Sequence, residues 1–292
     1  MDNNGFLYHF PPERYPLDLC DRLFQDSHIL IGGTNGSGKS VLINNIMYNL
    51  ISKRAYFAND PESVSFVLID PKRVELYKYI ELPHTIGYAC ENDQIIEYLK
   101  RVVVTMERRY EKMREKGITL YDGCYIVVVI DELADLMTTC KKEVMPLLQR
   151  IAQLGRAAKI KLIAATQAPN RKVIPAELIL NFTGRVALRC LSPIESRQIL
   201  NLTGAELLPR YGQCLYLNNN GEFSRENISM IPAEEITKSI DFITKQKKGN
   251  ALIEFIKANK TSTKNKKFDT PLFIAYLIAL FVALAFLYKF VL

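Results

Sequence analysis

Residues 33–40 read Gly33-Thr34-Asn35-Gly36-Ser37-Gly38-Lys39-Ser40, three glycines in a short run that closes on a lysine and a hydroxyl. Glycines at 33, 36 and 38 let the backbone turn tightly and bring N–H groups against anionic oxygens. In this spacing Lys39 reaches the β- and γ-phosphates of a nucleoside triphosphate, and the Ser40 hydroxyl ligates its magnesium. The ligand implied is ATP with Mg2+, bound by Gly33 through Ser40. A helix starting here adds its positive end to the same site.

The flanks are what this chemistry needs. His28-Ile29-Leu30-Ile31 is a short apolar run of buried-strand type, and Val41, Leu42, Ile46 and Leu50 recur at helical spacing up to Ser52-Lys53-Arg54. Far along the chain, Tyr125-Ile126-Val127-Val128-Val129-Ile130 is a continuous β-branched run suited to a central parallel strand. It ends in Asp131-Glu132. An acidic residue at such a tip holds magnesium through its water shell, which predicts Asp131 as a metal residue beside Ser40. Glu132, directly after it, is placed to orient and polarise an attacking water. The plainer reading is that Asp131 caps a helix starting at Leu133.

Several segments resemble the FtsK/SpoIIIE DNA translocases. They are Asp70-Pro71-Lys72-Arg73-Val74-Glu75-Leu76, Met106-Glu107-Arg108-Arg109-Tyr110, Val128 to Leu136, Arg156-Ala157-Ala158, Ala165-Thr166-Gln167, Ser196 to Leu200 and Gly204-Ala205-Glu206. They run in family order from roughly residue 17 to residue 231. The resemblance implies a RecA-like motor that assembles as a ring, usually a hexamer, and threads double-stranded DNA. It also implies a phosphate-sensing role for Gln167 and an arginine donated by a neighbouring subunit. Arg156, Arg185 and Arg189 are the candidates, with Arg156 carried forward as the catalytic one. Each is equally suited to a structural ion pair. Lys72 and Arg73, just past a strand tip, face either the nucleotide or a neighbouring subunit.

The elements that must position these residues alternate. Val64–Ile69, Tyr125–Ile130, Ile160–Ala165 and Gly184–Arg189 read as strands, while a helix covers about Asp93–Lys116 and Leu147, Leu148, Ile151 and Leu154 share one helical face. Strands alternating with helices predict an α/β fold, a mainly parallel sheet with helices on both faces. Ligands then bind at the carboxyl ends of the strands, where Gly33, Asp131 and Gln167 all fall.

The domain reading is a lead-in at 1–27, the ATPase domain at 28–231, a basic helical segment and linker at 232–270, and a transmembrane anchor at 271–292. From Leu272 to Tyr288 every residue is apolar or aromatic, and with the following residues the run reaches about the 20 needed to span a bilayer. Residues 238–267 hold nine lysines against Asp241 and Glu254, a surplus equal to the +7 of the whole chain. Excess base just before an apolar run predicts a cytoplasmic flank, with the ATPase domain on the same side. The same count leaves the ATPase domain neutral, so composition does not announce DNA binding; that partner rests on the resemblance. Six cysteines show no metal-binding or redox spacing and read as buried, reduced thiols of a cytosolic protein. With no room for a winged-helix domain and one anchor after the motor, the plan suggests a conjugative coupling ATPase of a mobile element. Export of small helical proteins, or a docking subunit that binds ATP without turnover, are the other classes.

Overall fold

A computed structural model describes residues 17–52, 64–167, 169–170 and 173–244. The elements are α1 (Leu17–Gln25), β1 (Ile29–Gly32), α2 (Lys39–Ser52), β2 (Val64–Ile69), β3 (Thr85–Ala89), α3 (Asn92–Lys116), β4 (Tyr125–Ile130), α4 (Leu133–Thr139), α5 (Lys141–Leu154), β5 (Ile160–Thr166), α6 (Ala176–Leu180), β6 (Gly184–Ala187), α7 (Pro193–Leu200), β7 (Gln213–Leu217), β8 (Phe223–Asn227) and α8 (Ala233–Thr244).

The strands form one sheet in the order β3-β2-β4-β5-β1-β6-β7-β8. Six are parallel, from β3 to β6; β7 and β8 close one edge as an antiparallel hairpin. The apolar runs are strands because they are buried on both faces. Alternate residues divide between two cores: Phe66, Leu68, Val127, Val129, Ile31 and Ile163 pack with α1, α2 and α8. Val67, Ile69, Ile126, Val128, Ile130, Leu30 and Leu162 pack with the helices α3 to α6 on the other face. That is the period-2 geometry of a strand with a helix layer on each side.

The order of strands carries the functional consequence. β5 lies between β1 and β4, in parallel register with both, Gly32 beside Thr166 and Ile130 beside Ala164. The tips of β1, β4 and β5 therefore share one edge. The predicted strands and the long helix are present, except that β6 ends at Ala187 instead of Arg189, where the chain turns away to brace the glycine-rich loop.

All six cysteines are free thiols; Cys90 and Cys124 are half-exposed, so the expectation that all are buried fails for these two. The predicted anchor at 271–292 and most of the basic segment lie outside the described residues. Among the described residues, no helix is long and apolar enough to cross a membrane.

Candidate functional site

The loop from Gly33 to Gly38 is docked between two strand tips. Gly33 N–H donates to Thr166 O at the end of β5, and Thr34 N–H donates to Arg189 O just beyond β6. Gly36 and Gly38 have φ of +69° and +103°, values that L side chains rarely adopt. At Gly33 a Cβ would stand 2.7 Å from Ser37 Oγ and 2.9 Å from Leu188 Cβ, so the loop closes only around a residue without one.

Helix α2 begins at Lys39, directly after the loop. Its first N–H groups have no acceptor within the helix and meet the loop's concave side. The Lys39 Nζ donates to Gly33 O at 2.8 Å and to Thr34 O at 2.7 Å, which fixes the ammonium over the loop. Burial pushes its pKa down to about 8, with Glu132 opposing and Lys72 adding to the shift. A polyphosphate would favour the charged form. Ser37 Oγ is buried without a hydrogen-bond partner among the described residues, an orphan that a phosphate oxygen at the loop would satisfy.

These residues line a cavity of about 920 Å³, with Asn35 through Val41 on one side and Lys72, Val74, Glu75, Asp131 and Gln167 on the other. Its outer wall is Leu188, Tyr211, Gly212, Ile228 and Met230. A cavity of that volume suits a nucleotide-sized ligand. Ser40 and Asp131, two strands apart in the sheet, face it together. Burial, then Asp70 and Glu75, push the Asp131 carboxyl up to about 6. A divalent cation would relieve that strain, so the residues fit magnesium held by one hydroxyl, one carboxylate through water, and the phosphates. Among the described residues, no cluster of three or more His, Cys, Asp or Glu forms a protein-only metal cage.

Glu132 is placed differently from its neighbour. It is 3% exposed and is not among the cavity-lining residues. Its carboxylate accepts from Lys72 Nζ at 3.2 Å, from Gln167 N–H at 3.1 and 3.2 Å, and from Ala134 N–H at 3.4 Å. The helix-capping role offered for Asp131 thus belongs to Glu132, which caps α4. Gln167 lines the cavity from the tip of β5, next to the β4 strand, as its sequence position implies.

The three arginines diverge. Arg156 is exposed before the start of β5, at the opposite edge of the sheet, and lines a second cavity of about 480 Å³ with Cys20, Phe24, Asn49 and Lys161. It does not reach its own chain's nucleotide cavity. Arg185 is buried and donates Nε to Phe182 O. Arg189 donates to Leu208 O at 2.7 Å while its carbonyl holds Thr34, so it braces the loop. Arg73 pairs with Glu91 away from the site, whereas Lys72 faces the nucleotide cavity.

Sequence reasoning missed the outer wall. Tyr211 and Gly212, just before β7, and Ile228 and Met230, just after β8, carry no motif. Tyr211 is 60% exposed and Met230 72% exposed, large apolar surfaces standing open beside a polar loop. That exposure is the signal, and it requires coordinates.

The comparisons with known proteins agree with this geometry. The model of the FtsK/SpoIIIE family matches residues 16–124 and 120–171, more than half of the chain. The DNA translocase FtsK of Helicobacter pylori strain J99 is 36% identical over 260 residues, 84% of this chain and 30% of that protein. FtsK of Halalkalibacterium halodurans is 34% identical over 263 residues, 83% of this chain and 33% of the relative. The chain thus spans about a third of the length of the curated relatives it matches. Among solved structures, the conjugation coupling protein TcpA of pCW3, in its monomer form with ATPγS, superposes with a TM-score of 0.64 at 23% identity, over 74% of this chain and 65% of that one. The type VII secretion ATPase EccC of Thermomonospora curvata gives 0.62 at 22% identity, over 77% of this chain and 29% of that one. At these identities the two structures share the fold of this chain, that of P-loop ATPases. With its loop, acidic strand tip and family segments in one sheet, the chain belongs to the FtsK/SpoIIIE family.

Proposed function

We propose that this chain is a motor ATPase that hydrolyses ATP and translocates double-stranded DNA as a ring of identical subunits, six by analogy with its family, and that its C-terminal apolar run anchors it to the membrane with the ATPase domain in the cytoplasm. The carrying observation is that Lys39, Ser40, Asp131 and Gln167, drawn from three strand tips, line one cavity. The anchor is read from the apolar run after Leu272 and the lysine-rich stretch before it. DNA as substrate is read from the family, whose relatives above are named DNA translocases. A coupling role in conjugation is supported by the fold shared with the conjugation coupling protein TcpA.

In this reading the loop N–H groups and Lys39 hold the phosphates and stabilise charge that develops on them. Ser40 and Asp131 would hold magnesium, which would supply Lewis-acid stabilisation to the phosphoryl oxygens. Glu132 orients and polarises the attacking water, and the Gln167 amide contacts the terminal phosphate. An arginine from the adjacent subunit adds positive charge; Arg156, exposed at the far edge, is free of any role in its own chain's cavity and is the residue assigned to that task.

The test is ATP hydrolysis by the full-length chain, alone, with duplex DNA, and with a helical export-type peptide. Stimulation by duplex DNA supports translocation; stimulation by the peptide alone replaces it with protein export. Glu132→Gln retains nucleotide and loses turnover. No hydrolysis under any of the three conditions overturns the motor reading.

A further inference from the structure

We propose that Lys72 is a two-position clamp on Glu132. Without a terminal phosphate it holds the carboxylate out of the cavity; with one it transfers to the phosphate and frees the carboxylate to meet water. This rests on the ATPase reading above and concerns the regulation of that same site.

The geometry begins with the sheet. β2 and β4 are parallel neighbours in register from Val64 beside Tyr125 to Ile69 beside Ile130. The residues just past each tip therefore lie side by side, and Lys72 Nζ comes to 3.2 Å from Glu132 Oε2 and 3.9 Å from Asp135 Oδ2. Both Glu132 oxygens are engaged by donors: the Gln167 N–H reaches each, Ala134 N–H reaches Oε1, and Lys72 reaches Oε2. A general base needs an oxygen within about 3 Å of the water it activates. In this arrangement Glu132 presents none to the cavity.

The four contacts are unequal. Gln167 and Ala134 donate from backbone fixed in a strand tip and a helix start. Lys72 donates from a flexible four-carbon stem, its side chain is 38% exposed, and it lines the cavity that Glu132 does not. It also lies near enough to Lys39 for the two positive charges to repel. Of the groups holding Glu132, Lys72 is thus the one a triphosphate can compete for. A diphosphate, ending one phosphate short, leaves the pair in place.

Two affinities read the transfer without relying on turnover: those of ATPγS and of ADP for the full-length chain, by calorimetry. If binding the terminal phosphate requires Lys72 to leave Glu132, then Glu132→Gln, which weakens that pair, tightens ATPγS at least about tenfold and leaves ADP unchanged, the size expected for one charge-assisted hydrogen bond. Lys72→Met weakens ATPγS by a similar factor with ADP unchanged, and Lys72→Arg restores most of the ATPγS preference. The double variant decides between transfer and simple charge repulsion. In the Lys72→Met background the Glu132→Gln gain disappears if it acts through Lys72, and its persistence overturns the clamp. Equal loss of both nucleotides in Lys72→Met, including loss through misfolding, also overturns it, since Lys72 is then a structural pin. Failure of the wild-type chain to bind either nucleotide instead overturns the ATPase reading itself.

Discussion

Replacing Arg109 should cost the fold several kcal/mol and leave nucleotide binding intact. Arg109 is fully buried near the end of α3. Its Nη1 donates to Cys124 O at 2.9 Å and Ala158 O at 2.8 Å, with Lys159 O a weaker third at 3.4 Å. Its guanidinium lies 4.4 Å from the Tyr121 ring centroid. The arginine thus ties α3 to the starts of β4 and β5, the edge opposite the nucleotide cavity. Two well-formed hydrogen bonds to a charged donor contribute roughly 1.5–3 kcal/mol each. Part of that is offset in Arg109→Met because a buried charge no longer has to be desolvated. A net loss of about 3 kcal/mol is expected, and with a urea m-value of about 2 kcal/mol/M the midpoint falls by about 1.5 M. Arg109→Lys keeps the charge but loses the fork, and should forfeit more than half as much. The assay is urea unfolding of the full-length chain followed by circular dichroism, with ATPγS affinity measured in the absence of urea. A midpoint shift under about 0.4 M, or an ATPγS affinity that falls more than a few-fold in the folded variant, would refute the assignment of Arg109 as a structural pin.

Gly33→Ala should reduce ATPγS affinity by at least about tenfold in equilibrium titration, because the new Cβ meets Ser37 Oγ and Leu188 Cβ below contact distance and pushes the loop open. Tyr211→Ala should weaken ATPγS and ADP alike, by about three- to tenfold, if the exposed ring at the cavity mouth stacks on the base; equal affinity in the variant removes the ring from the site. Lys161 supplies a pH signature. Burial lowers its pKa to about 8, with Asp26 opposing and Arg156 adding, against 10.5 for the free side chain. Between these values the unfolded chain holds more protons than the folded one, so stability rises with pH across about 8 to 10.5, by at most about 1.4 kcal/mol per pH unit. Urea unfolding at pH 8, 9 and 10 should show wild type gaining on Lys161→Met; parallel curves would refute it.

What the sequence made legible was local. The loop, the strand before it and the helix after it are contiguous, and the β-branched run ending in Asp131 names its own burial. Which of two adjacent carboxylates faces the ligand was not legible, because that depends on where Lys72 and the Gln167 N–H arrive from other strands. The Met106–Tyr110 segment carried family resemblance, yet its Arg109 serves the fold at the far edge. The β7–β8 hairpin escaped notice because β8 is an edge strand whose residues alternate between exposed and half-buried, leaving no apolar run to mark it. Its neighbours Tyr211, Ile228 and Met230 nonetheless build the cavity's outer wall.

The placement of β5 explains why one ligand can be held from both sides. Neighbouring strands stand about 4.8 Å apart, so the loop strand β1 and the Asp131 strand β4, with β5 between them, are separated by about 10 Å. Were β1 and β4 adjacent, the Lys39 ammonium and the Asp131 carboxylate would converge at ion-pair range and neutralise each other. With one strand interposed, a polyphosphate and its cation fit between them, and the tip of the interposed strand, Gln167, lies at the middle of that gap. The same tip donates its N–H to Glu132. A single strand therefore sets the spacing of the charged groups, places Gln167 on the cavity wall, and holds the Glu132 carboxylate, which links the position of that carboxylate to whatever Gln167 touches.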